Sequence, residues 1–224
     1  MSETVTPAEV AHVVAHGQHA NRREGLIEIA EAVLLAVVAI ATAWSGYQTG
    51  KWDGRQASLY SLSSRYRVEA DSANTRSGQQ RLYDTNTFGF WLNAKAQGNE
   101  VDAKLFERRF RPEYRPAFRA WIALDPLHNP KAPPGPIFMP QYRNAQAELA
   151  AAKEHQASEA FEKGTQAREQ GDKYLRNTVL LATVLFLTAL AQKFRVHAVR
   201  VGLLTLCGVL LAIALFFIAT YPLA

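Results

Sequence analysis

The sequence predicts an all-α integral membrane protein with three transmembrane helices and a helical domain inserted between the first two. Three stretches without a charged residue predict the membrane helices: residues 32–50, 177–192 and 201–224. About 20 helical residues cross a hydrocarbon layer of roughly 30 Å. The third stretch reaches this length by itself, and the first two reach it with their flanks. The long proline-free stretches of the middle region favour helices there.

Aromatic residues at the ends of the apolar stretches agree with this path. Trp44, Tyr47, Tyr174 and Tyr221 all fall on one side of the membrane if the three helices alternate in direction. Tyr and Trp prefer the interface between lipid and water. We therefore expect these four residues to act as interface anchors.

The first 21 residues form a polar tail that carries helix start signals. The letters "TPAE" have the capping-box spacing with a first-turn proline, which predicts a short helix that ends at Gly17. The letters "NRRE" repeat the capping-box spacing, so the first membrane helix is predicted to begin near Arg22. Because about 25 polar residues precede the apolar run, we expect no cleaved signal peptide.

Histidines of the tail raise the question of a metal site. His12, His16 and His19 fall on one helix face, and Glu9 stands in an E-x-x-H relation to His12. A di-iron carboxylate site requires two such motifs on facing helices. Only one is present, so we expect a solvated tail without metal or cofactor.

Beyond Trp44 the first helix is predicted to continue out of the bilayer. Gly46, Gly50 and Gly54 lie at i, i+4 and i+8, which places a strip of bare backbone on one helix face. No proline interrupts the chain before Pro112. The candidate breaks in this helix are Gly78, Gly89 and Gly98.

A long polar helix is predicted from residue 141 to residue 176, where Ala, Glu, Gln, Lys and Arg dominate and proline is absent. With Tyr47 and Tyr174 at one interface, this helix packs antiparallel to the first as a hairpin stalk of residues 47–75 and 145–176. Small residues at such contacts permit close backbone approach. The predicted contacts pair Gly50 with Gly171 and Ala57 with Gly164.

Two short helices and a proline-rich loop are predicted between the long helices. Asn99 is placed to cap a helix that ends near Phe110, and a third helix covers residues 112–124. Residues 125–140 contain six prolines, which excludes helix and central strand and predicts an ordered turn or a tether. A polyproline ligand is the less favoured reading of this loop. The side chains that the third helix is expected to bury are Phe118, Trp121 and Ile122.

The layout resembles a known family. The exit "AWSGYQTGKW", a helical middle, a long Ala/Glu/Lys helix and a closing hairpin with a basic turn resemble the bacterial membrane proteins of domain-of-unknown-function family 4337. The stretch "AWIALDPLHNPKAPPGPIFMPQY" is also similar to one in other bacterial membrane proteins. The letters "YQTGK" depart from the Tyr-Gln-Ala-Lys-Ser pattern of that family. The resemblance implies the architecture and a bacterial inner membrane, and it implies no activity.

Three acids lie at the start of the first membrane helix. Glu24, Glu28 and Glu31 are spaced i, i+4 and i+7 and project from one helix face. An acid at the bilayer centre costs roughly 2.5–3.5 kcal/mol, so such residues face the interior of a helix bundle. Three readings are open: an ion-pair clasp, which we favour, solvation at the interface, or a cation or proton path. The basic partners of a clasp would be Lys193, Arg195 and Arg200.

Small residues indicate where helices pack. Ala32, Ala36, Ala39 and Ala43 form a seam with 4-3-4 spacing along the first membrane helix. Such seams are packing surfaces within a chain or between chains. Together with Gly202 and Gly208 the seam predicts a homo-oligomer or a membrane-protein partner.

A basic face runs through "KLFERRFRPEYRPAFR". Its cations are suited to lipid phosphates, an acidic partner or nucleic acid. Because no nucleic-acid recognition motif occurs, we expect no nucleic-acid partner. We favour pairing of these cations with acids of the long polar helix. The basic residues are Lys104, Arg108, Arg111, Arg115 and Arg119, and the expected acids are Glu154, Glu159, Glu162 and Glu169.

The short basic turn and the tail favour a cytoplasmic N-terminus and an extracytoplasmic middle domain.

The sequence has no phosphate loop, zinc motif, nucleophile elbow or CxxC, so we expect no enzyme. The single Cys207 forms no internal disulfide. A structural or interaction subunit is the leading hypothesis, with a sensor or an ion-conducting oligomer as alternatives. The predicted boundaries are 1–21 for the tail, 22–46, 177–192 and 201–221 for the membrane helices, 47–176 for the middle domain and 193–200 for the turn.

Overall fold

The computed structural model of the protein describes residues 7–194 and 196–224, with residues 7–24 and 26 described by their backbone alone. The described ranges contain no β-strand, which confirms the all-α prediction. In these ranges one 3-10 turn, Pro136–Phe138, accompanies five α-helices. The helices are α1 (Pro7–Ala96), α2 (Glu100–Arg109), α3 (Arg115–Ile122), α4 (Ala145–Ala191) and α5 (His197–Thr220).

The helices form two compact units. Unit 1 comprises Met1–Ser58 and Gly164–Ala224, and unit 2 comprises Leu59–Lys163. The two longest helices, α1 and α4, contribute to both units. Among the described residues, three helices are long and apolar enough to cross a membrane: Ile27–Ala96, Ala145–Ala191 and His197–Thr220.

The first helix has none of the predicted interior breaks. The expected stop at Gly17, a separate helix start at Arg22 and breaks at Gly78 and Gly89 are all wrong, because α1 continues through these positions. A glycine inside a helix costs about 1 kcal/mol relative to alanine. Contacts made by the buried face of so long a helix outweigh that cost. Only Gly98 marks a break, and it has a φ of +70° just beyond the end of α1.

Helix contacts in unit 1 use positions that alternate by three and four residues. In α1 the buried residues include Ala41, Ser45, Gln48 and Trp52. This spacing is that of helices packed side by side with a left-handed twist. The corresponding buried residues of α4 are Gly164, Ala167, Gly171, Tyr174, Asn177, Leu181, Val184, Thr188 and Ala191.

Gly171 occupies the tightest of these contacts. A Cβ atom at this glycine would lie 3.2 Å from Asp53 Oδ1 and 3.4 Å from Trp52 Cβ. The backbone of α4 therefore touches α1 at the height of residues 49–53, close to the predicted register. Asn177 Nδ2 also donates to Ser45 Oγ at 3.1 Å, a hydrogen bond between buried side chains of the two helices.

The prediction that the glycine face of α1 packs against α4 is wrong. Gly46, Gly50 and Gly54 are exposed, and a Cβ atom at any of them would meet nothing within 4 Å. Ala57, the expected partner of Gly164, is exposed as well. Each residue advances the helix by about 100°, so Gly46, one position after Ser45, and Gly50 and Gly54, two positions after Gln48 and Trp52, lie on a different face from the buried residues. Small residues of α4 are buried, whereas the glycines of α1 are not.

The apolar core of unit 1 joins three helices. Val38 of α1, Leu181 and Val184 of α4, and Cys207 and Ala214 of α5 are buried together. The turn between α4 and α5 is shorter than predicted, because α5 begins at His197. As a consequence, Arg200 lies in the first turn of α5, so its backbone is part of a helix.

In unit 2 the two long helices also approach closely. Ser63 Oγ of α1 donates to the backbone oxygen of Ala157 in α4 at 2.8 Å. The neighbouring contact is an ion pair between Lys153 Nζ and Glu69 Oε2 at 2.7 Å. A side chain bonded to a backbone atom of the facing helix requires a small residue at that position, which Ala157 supplies.

The short helices and the proline-rich loop pack on an aromatic core. Asn99 caps α2, because its side-chain oxygen accepts from the backbone N–H of Asp102 at 3.1 Å. Trp121 Nε1 donates to the oxygen of Pro133 at 2.7 Å, which makes the loop an ordered turn and not a tether. Ile122 is 40% exposed, so its predicted burial is wrong. The buried residues of this core are Trp91, Ala94, Ala103, Phe110, Tyr114, Ala117, Phe118, Trp121 and Met139.

We expect Gly171→Leu to destabilise the protein by about 1–3 kcal/mol, the usual cost of overpacking a tight contact. The leucine would collide with Trp52 and Asp53. Thermal unfolding in detergent, followed by circular dichroism, measures the change. The matched control is Gly78→Leu at an open, exposed position of α1, which should leave the unfolding temperature unchanged or raise it. Equal effects of both variants would contradict the tight contact at Gly171.

Candidate functional site

Unit 2 has a cleft of about 630 Å³ between α2 and α3. Phe110 and Phe118 form its apolar base and are both buried. Basic residues of both helices surround this base. The lining side chains besides the two phenylalanines are Val101, Lys104, Glu107, Arg108, Arg115 and Arg119.

The local sequence explains why four cations line the cleft. Lys104 and Arg108 are four residues apart and share one face of α2, and Arg115 and Arg119 share one face of α3. The chain turns between the helices at Phe110, which has extended backbone angles, and Pro112 lies two residues later, directly after Arg111. Proline disfavours helical geometry in the residue before it. The basic stretch predicted as one face is therefore folded into two walls.

Arg115 has its guanidinium held in place by the end of α2. Its Nε donates to the oxygen of Phe110 at 3.1 Å, and Nη2 donates to the oxygen of Arg108 at 3.0 Å. The last carbonyl groups of a helix lack partners within that helix. Arg115 thus acts as a partner for carbonyl groups at the end of α2 and also lines the cleft with its positive charge.

The predicted pairing of this basic face with acids of α4 is wrong. None of the four lining cations forms a salt bridge with a described residue. Glu159 pairs instead with His155, on its own helix, at 3.3 Å. Among lining residues only Glu107 is acidic. The other expected acids, Glu154, Glu162 and Glu169, are exposed.

Arg111, the fifth predicted cation, points away from the cleft into a buried network. Its Nε and Nη2 donate to both oxygens of Asp84, at 2.9 and 2.7 Å. The Asp84 side chain is fully buried and that of Arg111 is 17% exposed. The hydroxyl of Tyr142 also donates to Asp84 Oδ2, at 3.1 Å. This network ties the α2–α3 corner to α1 and to the loop before α4.

Two phenols adjoin the Asp84 network. Burial raises the pKa of Tyr114 and of Tyr142, and the negative charge of Asp84 raises both further. Both phenols are therefore neutral near pH 7. The hydroxyl of Tyr114 is buried and has no hydrogen-bond partner among the described residues. The hydrogen bond with Asp84 raises the pKa of Arg111, which keeps this guanidinium charged.

Sequence reasoning missed Asp84 and Tyr142. The available signal was spacing, because Asp84 precedes the buried residues Thr87 and Trp91 by three and seven positions. An acid on the buried face of a helix requires a basic partner. The identity of that partner, 27 positions away at Arg111, could not be read from spacing.

A second buried ion pair lies in unit 1. Arg200 Nε and Nη2 donate to the two oxygens of Glu31 at 2.7 and 2.8 Å. The side chains are 21% and 5% exposed, respectively. Of the six residues predicted for a clasp, these two come together. Glu28 and Lys193 are exposed, and the side chains of Glu24 and Arg195 lie outside the described residues.

Other predicted packing residues of unit 1 lie on its surface. Ala32, Ala36, Ala39 and Ala43 are all exposed, so a packing role for this seam within the chain is wrong. They lie on the same exposed face of α1 as the glycines that follow them, away from the buried residues Glu31, Val38 and Ala41. A Cβ atom at Gly202 or Gly208 of α5 would also meet nothing within 4 Å. A packing role between chains stays a prediction.

The predicted interface anchors divide into two kinds. Trp44 and Tyr47 are 41% and 56% exposed, as a lipid-facing anchor requires. Tyr174 is fully buried, so its predicted exposure to an interface is wrong. Its hydroxyl donates to the oxygens of Tyr221 and Pro222 at 3.4 and 3.3 Å. Tyr174 therefore binds the C-terminal residues to α4.

The described residues contain no cluster of His, Cys, Asp and Glu suited to a metal ion. The side chains of His12, His16 and His19 lie outside the described residues, so the expected solvated tail stays a prediction.

Protein-family models, curated proteins and solved structures give no significant match to the chain. The resemblance to family 4337 stays a prediction. Function therefore has to be inferred from the contacts and surfaces of the two units.

We expect Asp84→Asn to destabilise the protein by about 3–5 kcal/mol, because it removes the buried counterion of Arg111 and leaves only the exposed Glu113, 3.5 Å away. Chemical denaturation followed by tryptophan fluorescence measures the loss, since Trp91 and Trp121 lie in the same unit. The control is Glu69→Gln, which removes a surface ion pair with Lys153 and should change stability little. If the two variants were equally stable, the buried network would not hold the corner.

Proposed function

We propose that the protein is a three-span integral membrane protein with a non-enzymatic structural or interaction role. One observation carries the proposal: the apolar windows of α1 and α5 are only 17% buried, and that of α4 is 33% buried. Large side chains on the outside include Ile40 at 71%, Phe186 at 63% and Phe216 at 64% exposed. A monomer in water does not expose so much contiguous apolar surface, whereas lipid would cover it.

The Glu31–Arg200 pair supports the membrane assignment of unit 1. Removing two charges from water costs several kcal/mol per ion, and a bidentate pair offsets that cost. Because the Glu31 carboxylate and the Arg200 guanidinium neutralise each other, the pair brings no net charge into the lipid. The same geometry weakens the hypothesis of an ion path, because both carboxylate oxygens of Glu31 are occupied by Arg200.

The proposed location is a bacterial inner membrane with the N-terminus in the cytoplasm. Support comes from the basic turn between α4 and α5, where Lys193 and Arg195 stand without an acid. Unit 2 would then lie on the extracytoplasmic side. The cleft in unit 2 favours a second candidate role, that of a sensor with a ligand site outside the cytoplasm.

The interaction role rests on a continuous small-residue stripe along α1. It consists of Ala32, Ala36, Ala39, Ala43, Gly46, Gly50 and Gly54. All seven are exposed, and exposed positions nearby carry larger side chains such as Ile29, Val33 and Ile40. In lipid, helices associate where small residues let backbones approach. We infer that a second copy packs on this stripe about a two-fold axis along the membrane normal.

A cysteine at position 128 tests membrane insertion and orientation. The His128 side chain is 81% exposed in unit 2, and the native Cys207 is buried and can be replaced by alanine. We expect His128→Cys to react with an impermeant maleimide in intact spheroplasts. Lys193→Cys, the control in the basic turn, should react only after lysis. The reverse pattern would contradict the orientation, and extraction of the protein by alkaline carbonate would contradict membrane insertion.

Oligomerisation is tested by blocking the small-residue stripe. We expect Ala39→Leu combined with Gly50→Leu to convert an oligomer in mild detergent into monomers, as measured by light scattering with correction for bound detergent. Ala182→Leu, a substitution at an exposed alanine on α4, is the control and should leave the mass unchanged. A wild-type protein that is monomeric at all concentrations would rule out the stripe as a contact between copies.

A further inference from the structure

We propose that the cleft between α2 and α3 binds a small amphiphilic anion, in which a carboxylate or phosphate group is attached to an aliphatic or aromatic body. The proposal rests on the geometry of unit 2. It goes beyond the proposed membrane role and does not depend on it.

The charge of the cleft selects an anion. Four cations line it, namely Lys104, Arg108, Arg115 and Arg119, against one acid, Glu107. None of the four is neutralised by a salt bridge with a described residue. Cations gathered from two helices repel one another, and an anion between them relieves that repulsion. Glu100 lies one turn before Lys104 on α2, but its carboxylate pairs with Lys95 at 2.7 Å.

The fixed orientation of Arg115 favours binding of an anion at a defined position in the cleft. Two of its guanidinium nitrogens are held by the oxygens of Phe110 and Arg108, which fixes the plane of the group. A side chain fixed before binding loses less conformational freedom when a ligand arrives. Arginine presents a planar set of donors that matches carboxylate and phosphate oxygens.

The apolar base selects the second half of the ligand. Phe110 and Phe118 have ring centroids 4.7 Å apart and are 2% and 5% exposed. Val101, which is 78% exposed, adds an aliphatic wall. Because the protein already covers both rings, the apolar surface that a simple inorganic anion would leave wet belongs to Val101 and to the aliphatic stems of the lining basic side chains. An attached hydrocarbon or ring would cover it and gain the free energy of apolar burial.

The size of the cleft fits a small molecule. Its volume of about 630 Å³ lies within the range of roughly 300–1,000 Å³ that is usual for sites of small ligands. Only two short helices line it, and the stacking surfaces and groove-binding helix of nucleic-acid readers are absent from the lining. A ligand of a few rings, or a short chain with one acidic group, fills such a space.

The test uses the full-length protein in a neutral detergent with three water-soluble probes: phenyl phosphate, inorganic phosphate and benzyl alcohol. Titration calorimetry measures affinity at low salt. We expect phenyl phosphate to bind, and the other two probes, each with half of its chemistry, to bind at least about tenfold more weakly. Binding of phenyl phosphate should weaken as salt is added. Equal affinity for all three probes, or no binding of phenyl phosphate, would overturn the proposal.

Variants locate the site. Arg108→Gln and Arg119→Gln each remove one exposed lining cation without touching the Arg115 contacts, and we expect each to weaken phenyl phosphate binding about tenfold to a hundredfold. Arg76→Gln removes the same charge at an exposed position of α1 outside the cleft and should have no effect. Circular dichroism checks that all three variants stay folded. Equal losses in Arg108→Gln and Arg76→Gln would place the binding elsewhere.

A final measurement distinguishes two sources of the ligand. Native mass spectrometry of protein purified from membranes shows a retained lipid acid if the ligand is a lipid, and Arg108→Gln with Arg119→Gln should abolish that adduct. Phenyl phosphate binding without a retained adduct indicates a ligand from the aqueous phase. Each result supports the proposed chemistry, whereas an adduct that survives both substitutions, together with unchanged phenyl phosphate affinity, contradicts it.

Discussion

Within each unit, the contact between α1 and α4 depends on small side chains that let a backbone approach a facing side chain. Gly171 leaves room for Trp52 and Asp53 in unit 1, and Ala157 lets Ser63 reach a backbone oxygen in unit 2. Contacts of this kind bury little apolar area per residue, so polar groups such as Ser45 and Asn177 take part in them. Their hydrogen bonds require one register, because a shifted helix would leave buried donors without acceptors.

In the part of the chain that the structure describes, each unit also contains a buried bidentate pair between a carboxylate and an arginine. Glu31 binds Arg200 in unit 1, and Asp84 binds Arg111 in unit 2. A buried pair adds little net stability compared with apolar residues of the same shape, but a single partner left alone is costly. The two pairs therefore discriminate against wrong arrangements of the helices. The two pairs differ in their surroundings. The Glu31–Arg200 pair neutralises charge among apolar helices, whereas the Asp84–Arg111 pair stabilises the connection between α2 and α3, where the cleft lies.

The sequence predicted the parts of the fold that depend on one segment at a time. The apolar stretches, the Asn99 cap and the ordered proline-rich turn each follow from local composition. The rotation of α1 could not be predicted, because small residues occur both at buried positions such as Ser45 and one position later at Gly46. The meeting of Glu31 and Arg200 was foreseeable since both segments end at the same predicted face of a membrane. No such plane constrains Asp84 and Arg111, so their pairing and the resulting cleft could not be predicted from the sequence.

The division into two units has a consequence for the order of folding. Unit 2 is one continuous stretch, Leu59–Lys163, whereas unit 1 needs residues from both sides of that stretch. The two ends of unit 2 meet, as the stacking of Tyr60 on Phe161 at 5.2 Å shows. Closing a long flexible loop has an entropic cost that grows by about 0.6 kcal/mol with each doubling of its length. Once unit 2 is folded, the stretch between the two parts of unit 1 is already closed. The two parts of unit 1 are then held close together before they pack.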